Sequence, residues 1–262
     1  MTEAGSEGKP VLEVTGVSKA FGALKAVDDV SLSVNRGGLH ALIGPNGAGK
    51  STLIDLMTGW QRPDAGTVTF NGQDVTDASV AKRAAMGLGR SFQVSSLAPE
   101  LSILDNVLLA AQGRQTSSFR FWTSVHDDEP LMASAMEALC AVGWTKPHTT
   151  PVSQLSHGDR RQIEVACAMA LKPTVLLLDE PAAGLDAEGS RELTEFLATL
   201  KGKIPMLLVE HDMYAVFTLA DRISVLVNGA IIASGSLEDI QQNEEVRRAY
   251  LGDSVPASRS TC

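Results

Sequence analysis

The chain is short of several features that would have fixed its class at once. It has three cysteines in 262 residues, Cys140, Cys167 and Cys262. They form no CxxC pair and show no metal-ligand spacing, which argues against a disulfide framework or a zinc site. Free thiols in a reducing compartment are expected. Surplus positive charge is also lacking. The net charge is −9 and the pI near 5.0, which disfavours a nucleic-acid binder working through a broad basic face. No stretch approaches the ~20 consecutive apolar residues of a membrane helix. The opening MTEAGSEGKP has no basic-then-apolar run and does not read as a signal peptide. A role at a membrane would therefore run through partner chains. What remains is ordinary globular composition, 44% hydrophobic and 20% charged. That suffices for one large core or two modest ones and argues against long disorder.

Short alternating runs come first, at Val11–Val17, Val30–Val34 and Thr67–Phe70. Period-two alternation predicts half-buried antiparallel strands. Leu39–Gly44 is continuously apolar and predicts a strand buried on both faces. From about Phe92 to Val165 the spacing turns helical, as in Ile103–Ala111 and Met132–Val142. An irregular stretch between them holds three aromatics within Phe119–Trp122, a partner-facing patch or a loop packed on its own domain. Strand–helix alternation then resumes through Thr174–Glu180 and Pro205–Glu210, which implies parallel sheet. Ile223–Gly235 reads as a hairpin with a type I′ turn at Asn228–Gly229.

GPNGAGKST, at Gly44–Thr52, matches G-x-x-x-x-G-K-S between a buried strand and a helix. Glycines let the backbone approach a phosphate without Cβ clashes. The N–H groups of Asn46, Gly47, Ala48, Gly49, Lys50, Ser51 and Thr52 are expected to face the β- and γ-phosphates, aided by the helix N-terminus. Lys50 should meet the phosphates as a point charge, and the Ser51 hydroxyl should bind Mg²⁺. VLLLDE ends an apolar strand in Asp179 and Glu180. Ligands bind beyond such strand ends. Asp179 is expected to reach Mg²⁺ through water, and Glu180 to polarise the attacking water as general base.

A phosphate loop with an acidic strand describes many NTPases. LSHGDRRQIEVACAMAL, at Leu155–Leu171, narrows the field, because it resembles the signature segment of ABC ATPases and precedes the acidic strand as in that family. Ser156 and Gly158 sit where a helix begins, a second anion-binding N-terminus in one chain. Further elements resemble the family in order. Phe21 resembles the aromatic that stacks on adenine. Gln93 resembles the glutamine that senses Mg²⁺ and water and links to the transmembrane partner. Gly184, Leu185 and Asp186 resemble the loop that crosses the dimer, and His211 the switch histidine. EPAAGLD, VEHDM, DRISVLVNG and VRRAYLG resemble the longer of the two ATPase types in branched-chain amino acid importers. Two residues depart from the usual signature: His157 replaces a glycine and Asp159 a glutamine. Asp159 puts a carboxylate near an anion site, a charge that Arg160 or Arg161 would have to offset.

The resemblance implies an α/β P-loop NTPase core with an antiparallel β subdomain and a helical insertion. The core would cover about 11–93 and 166–253, and the insertion 94–165, in one nucleotide-binding domain over 11–253 with flexible termini at 1–10 and 254–262. It implies an ATPase with Mg²⁺ that powers an importer from the cytoplasmic face of the inner membrane. The implied partners are a second ATPase subunit, identical or not, two transmembrane permease subunits and, indirectly, a periplasmic or lipoprotein binding protein. No nucleic acid is expected. Two alternatives stay open: another transport system (urea or amide, aromatic acid, lipopolysaccharide export), or a soluble ABC ATPase outside transport.

Overall fold

The computed structural model describes residues 9–90, 97–113 and 125–248. Gln93, the aromatics of Phe119–Trp122 and Cys262 lie outside them. The strands are β1 (Leu12–Phe21), β2 (Leu24–Val34), β3 (Leu39–Ile43), β4 (Ala65–Phe70), β5 (Gln73–Asp74), β6 (Leu88–Arg90), β7 (Val175–Asp179), β8 (Met206–Val209), β9 (Arg222–Val227) and β10 (Ala230–Gly235). The longer helices are α1 (Lys50–Thr58), α2 (Val80–Ala85), α3 (Ile103–Gln112), α4 (Glu129–Ala141), α5 (His157–Ala170), α6 (Ala187–Leu200) and α7 (Met213–Leu219), followed by the short α8 (Leu237–Gln242) and α9 (Glu244–Val246).

One sheet is antiparallel, in the order β2-β1-β4-β5. Its first two strands are longer than the alternation predicts. The added pairs, such as Lys19↔Val27 and Phe21↔Leu24, lie at the hairpin end, where Phe21, Leu24 and Lys25 are all exposed. Val27 is buried, but the tip beyond it buries neither face, so no period-two signal is written there. The second sheet runs β10-β9-β3-β8-β7-β6. β9, β3, β8, β7 and β6 are parallel, and β10 is an antiparallel edge. The β9–β10 turn has φ of 49° at Asn228 and 82° at Gly229, as a type I′ turn requires. This turn also joins the two sheets. The Gly229 N–H donates to the Ala48 carbonyl at 2.9 Å, and the Gly229 carbonyl accepts from the Asp28 N–H at 2.8 Å.

The faces of the parallel sheet separate two cores. Leu176 and Leu178 of β7 pack with α3, α4, α5 and α6. Val175 and Leu177 of the same strand pack with Leu53, Ile54, Leu56 and Met57 of α1 and with the antiparallel sheet. The acidic end of β7 and the start of α1 are thereby brought together. In the helical segment, Ser102 and Asp105 make a reciprocal capping box for α3, and Asp128 caps α4. The 165/166 division falls inside α5, which runs unbroken from its Ser156 cap.

α1 ends on a buried cation. Arg83 is 1% exposed, and its guanidinium donates to the carbonyls of Leu56 (2.7 Å), Met57 (2.6 Å), Thr76 (3.0 Å) and Ala78 (3.1 Å). It supplies donors to carbonyls that the last turn of a helix leaves unpaired. Replacing Arg83 by Leu should therefore destabilise the chain by about 3 kcal/mol, since buried acceptors lose charged donors. Urea unfolding followed by circular dichroism measures this; an unchanged midpoint would contradict it.

Candidate functional site

β3 is buried between β8 and β9 and delivers the chain to Gly44 at the sheet's C-terminal edge. Gly49 has φ 104°, and a Cβ there would collide with the Ala26 carbonyl. Gly47 has φ 80° and open space where a Cβ would project. The loop can therefore wrap closely while keeping one side clear. Gly49 precedes α1 as its N-cap and offers no side-chain cap, so the first-turn N–H groups have no intrahelical acceptor. Lys50 is 6% exposed. Its Nζ donates to the Gly44 carbonyl at 2.7 Å and the Pro45 carbonyl at 3.1 Å. Burial pulls the Lys50 pKa down, and the charges of Glu180 and then Asp179 oppose that shift.

Around this loop lies a cavity of about 820 Å³. It brings Asn46–Thr52 together with Phe21 from the end of β1 and Glu180 from beyond β7. Phe21 is 48% exposed there, with Lys19 Nζ 5.9 Å from its ring centroid. The rest of the wall is Leu24, Lys25, Ala26 and Asn228. Sequence reasoning singled out Asn228 only as a turn residue and none of the other three, although those stand in the same KAFGALKAV stretch as Phe21.

Asp179 is 1% exposed. Arg90, the last residue of β6, donates from Nη2 to Asp179 Oδ2 at 3.0 Å and from Nη1 to Asp55 Oδ1 of α1 at 2.7 Å. Burial raises the Asp179 pKa, and the Arg90 guanidinium opposes the rise. The other oxygen, Oδ1, is buried without a hydrogen-bond partner. Such an orphan calls for a missing ligand. Mg²⁺ takes oxygen ligands and keeps several waters, so an Asp179 oxygen and the Ser51 hydroxyl fit it. Among the described residues no group of three or more His, Cys, Asp or Glu could hold a metal; phosphate oxygens and waters would supply the other ligands. Glu180 adopts φ +48°, outside the regions an ordinary side chain prefers, and its N–H donates to the Val209 carbonyl at 2.9 Å. Backbone strain of this kind costs on the order of 1–3 kcal/mol and concentrates at functional sites.

A separate cavity of about 410 Å³ joins Ser156, His157 and Gly158 to Gly184, Leu185 and Asp186. It shares no lining residue with the first. Ser156 Oγ accepts from the Asp159 N–H at 3.2 Å, and Asp186 caps α6 through the Gly189 N–H at 2.9 Å. Asp159 lines an adjoining smaller cavity. The expected charge offset is corrected here. Lys146 holds the Asp159 carboxylate, at 2.6 and 2.8 Å, with its ammonium 5.6 Å from the Trp144 ring centroid. Arg160 donates to the Ser153 carbonyl, and Arg161 pairs with Glu164 one turn along the helix. Helical spacing aims both arginines elsewhere.

His211 follows β8, next to the Glu180 strand, with its side chain 59% exposed. It lines neither cavity. Its N–H donates to Glu210 Oε2 at 3.0 Å. Glu210 and Arg90 are further site residues that sequence reasoning missed. For Glu210 the signal was present: LLVE ends an apolar strand in an acid, as LLLDE does.

A phosphate-binding loop at the start of a helix, a buried carboxylate at the end of β7, one strand removed from β3, and a second capped helix facing a separate loop together define an ATP-binding cassette. The family model described as "ABC transporter" matches residues 27–183, and one described as "Branched-chain amino acid ATP-binding cassette transporter" matches 230–256. The chain belongs to the ABC transporter family, as one of its ATP-hydrolysing subunits related to LivG. It is 36% identical over 252 residues to the high-affinity branched-chain amino acid transport ATP-binding protein LivG of Salmonella typhimurium, covering 94% of this chain and 99% of the relative. It is 34% identical over 252 residues to BraF of Pseudomonas aeruginosa, with the same coverage. Among solved structures, the ADP conformation of MJ1267, an ATP-binding cassette of an ABC transporter, superposes with a TM-score of 0.84 at 30% identity, covering 94% of this chain and 100% of that one. The expected fold, a P-loop ABC ATPase with mixed α/β sheets, is the fold observed.

Proposed function

We propose that this chain powers an importer of branched-chain amino acids, working as one of two ATPase subunits that share two ATP molecules. The observation that carries the shared site is the separation of the two cavities. The phosphate loop and Glu180 line one; Ser156, Gly158 and the loop Gly184–Asp186 line the other. A single chain thus offers two half-sites, each with a helix N-terminus suited to phosphate. The relatives named for branched-chain amino acid transport match along nearly the whole chain, which supports the choice of solute.

In this reading Phe21 stacks on adenine, and the N–H groups of Asn46–Thr52 with Lys50 hold the β- and γ-phosphates. Ser51 and Asp179, with Gln93, hold Mg²⁺, which when bound neutralises phosphate charge. Glu180 takes the proton of the attacking water, and His211 contacts the γ-phosphate. Ser156, His157, Gly158 and Asp159 face the partner's ATP, and Gly184–Asp186 cross the interface. ATP favours the closed pair through its greater affinity for that state, and hydrolysis releases it. No helix among the described residues is long and apolar enough to cross a membrane. In this reading the chain works peripherally, on the cytoplasmic face, through two permease subunits fed by a binding protein.

The test has two parts. Hydrolysis per subunit should rise with protein concentration, and a tagged chain should co-purify from solubilised membranes with a polytopic subunit. A concentration-independent rate in a monomer would refute the shared site. A soluble complex with DNA or ribosomes and no membrane partner would refute transport.

A further inference from the structure

His211 stands between two acidic residues, and each holds a different end of one stretch of chain. Glu210 is 1% exposed, and both of its oxygens accept from backbone. Oε1 takes the Ala182 N–H at 2.8 Å, and Oε2 takes the His211 N–H at 3.0 Å. On the other side, Asp212 Oδ2 accepts from Ser190 Oγ at 2.6 Å. Ala182 and Ser190 bracket the loop Gly184–Asp186, and Glu180 precedes Ala182 by two residues. Asp186 is bound to the same helix as Ser190, its carbonyl accepting from the Ser190 N–H at 2.9 Å.

We propose that Glu210 and Asp212 form a clamp that makes His211 follow the loop Gly184–Asp186, with Glu210 as its positioning residue. The clamp rests on the two-subunit hydrolysis proposed above. A buried carboxylate is costly unless hydrogen-bonded. Here it joins N–H donors of two segments far apart in sequence, which is a cross-link of defined geometry. A glutamine is no substitute. It has one acceptor oxygen, and its NH₂ would face an N–H donor. The His211 Nδ1 is 3.7 Å from Oε2, beyond hydrogen-bond distance. Glu210 thus fixes the His211 backbone and leaves the exposed ring to act elsewhere. When a partner subunit displaces the loop, both ends of the clamp carry the displacement to His211. Loop engagement and histidine placement then become one event.

The experiment uses the full chain. Glu210→Gln should lower kcat about ten- to a hundredfold, the scale of a small misplacement at a reacting centre. KM for ATP should stay within about twofold, since the phosphate loop and Phe21 are untouched. Combined with His211→Ala, it should add no loss beyond that of His211→Ala alone. Ser190→Ala removes the second hold and leaves the buried carboxylate in place, so it serves if Glu210→Gln fails to fold. It should lower kcat severalfold with the same non-additivity. Amide exchange across 182–186 and 210–212 should rise together in either variant. Wild-type kcat in either variant, or losses that multiply with His211→Ala, would overturn the clamp. Wild-type turnover in His211→Ala would instead fail the hydrolysis reading. Exchange would then decide the clamp, and a rise in one segment only would overturn it.

Discussion

Glu180→Gln should bind ATP as tightly as the wild type and hydrolyse it ~10²–10⁴ times more slowly, the range of a lost general base. Glutamine has nearly the same volume but no basic oxygen, so the cavity shape survives while proton acceptance does not. The residue projects into the phosphate-loop cavity from a left-handed backbone position. That conformation is kept without glycine, the kind of backbone strain that clusters at functional sites. In the shared-site reading this variant should also accumulate as an ATP-bound dimer, visible by size exclusion with ATP. Wild-type turnover in Glu180→Gln would remove the base assignment.

Lys50→Ala should lose nucleotide affinity itself, by about ten- to a hundredfold, the scale of charge-assisted hydrogen bonds removed from a buried anion site. The ammonium is bound to the loop's own Gly44 and Pro45 carbonyls. It is therefore already desolvated and already in the site. Little ordering is left to do when phosphates exchange for those carbonyls. Titration with a fluorescent ATP analogue measures the loss, with thermal unfolding as a control that the loop persists. ATP binding at wild-type strength would end the phosphate role of Lys50.

These two residues were legible because their chemistry is local. Gly44–Thr52 carries turn, donors and charge in nine consecutive positions, and Asp179–Glu180 ends an unmistakable apolar strand. The hairpin at Asn228–Gly229 was legible for the same reason. What stayed hidden depends on separation. Arg90 meets Asp55 and Asp179 across 35 and 89 residues, and no local pattern encodes such pairs. Lys146 was overlooked because Arg160 and Arg161 lie nearer to Asp159 in sequence. On a helix, nearness in sequence is not nearness in space. The tip of the β1–β2 hairpin was missed because Ala20, Phe21, Leu24 and Lys25 are all exposed.

The hairpin turn that joins the sheets has a consequence for how the protein is made. The phosphate loop is synthesised early, but one wall of its cavity, Asn228, and the backbone bonds from Gly229 to Ala48 and Asp28 come from near the end of the described chain. Leu39, at the start of β3, likewise awaits Asp221, whose carboxylate accepts its N–H at 2.8 Å. A nascent chain therefore carries every glycine of the loop long before the Asn228 wall of its pocket exists. Full assembly of the nucleotide pocket thus waits for the β9–β10 turn to be made.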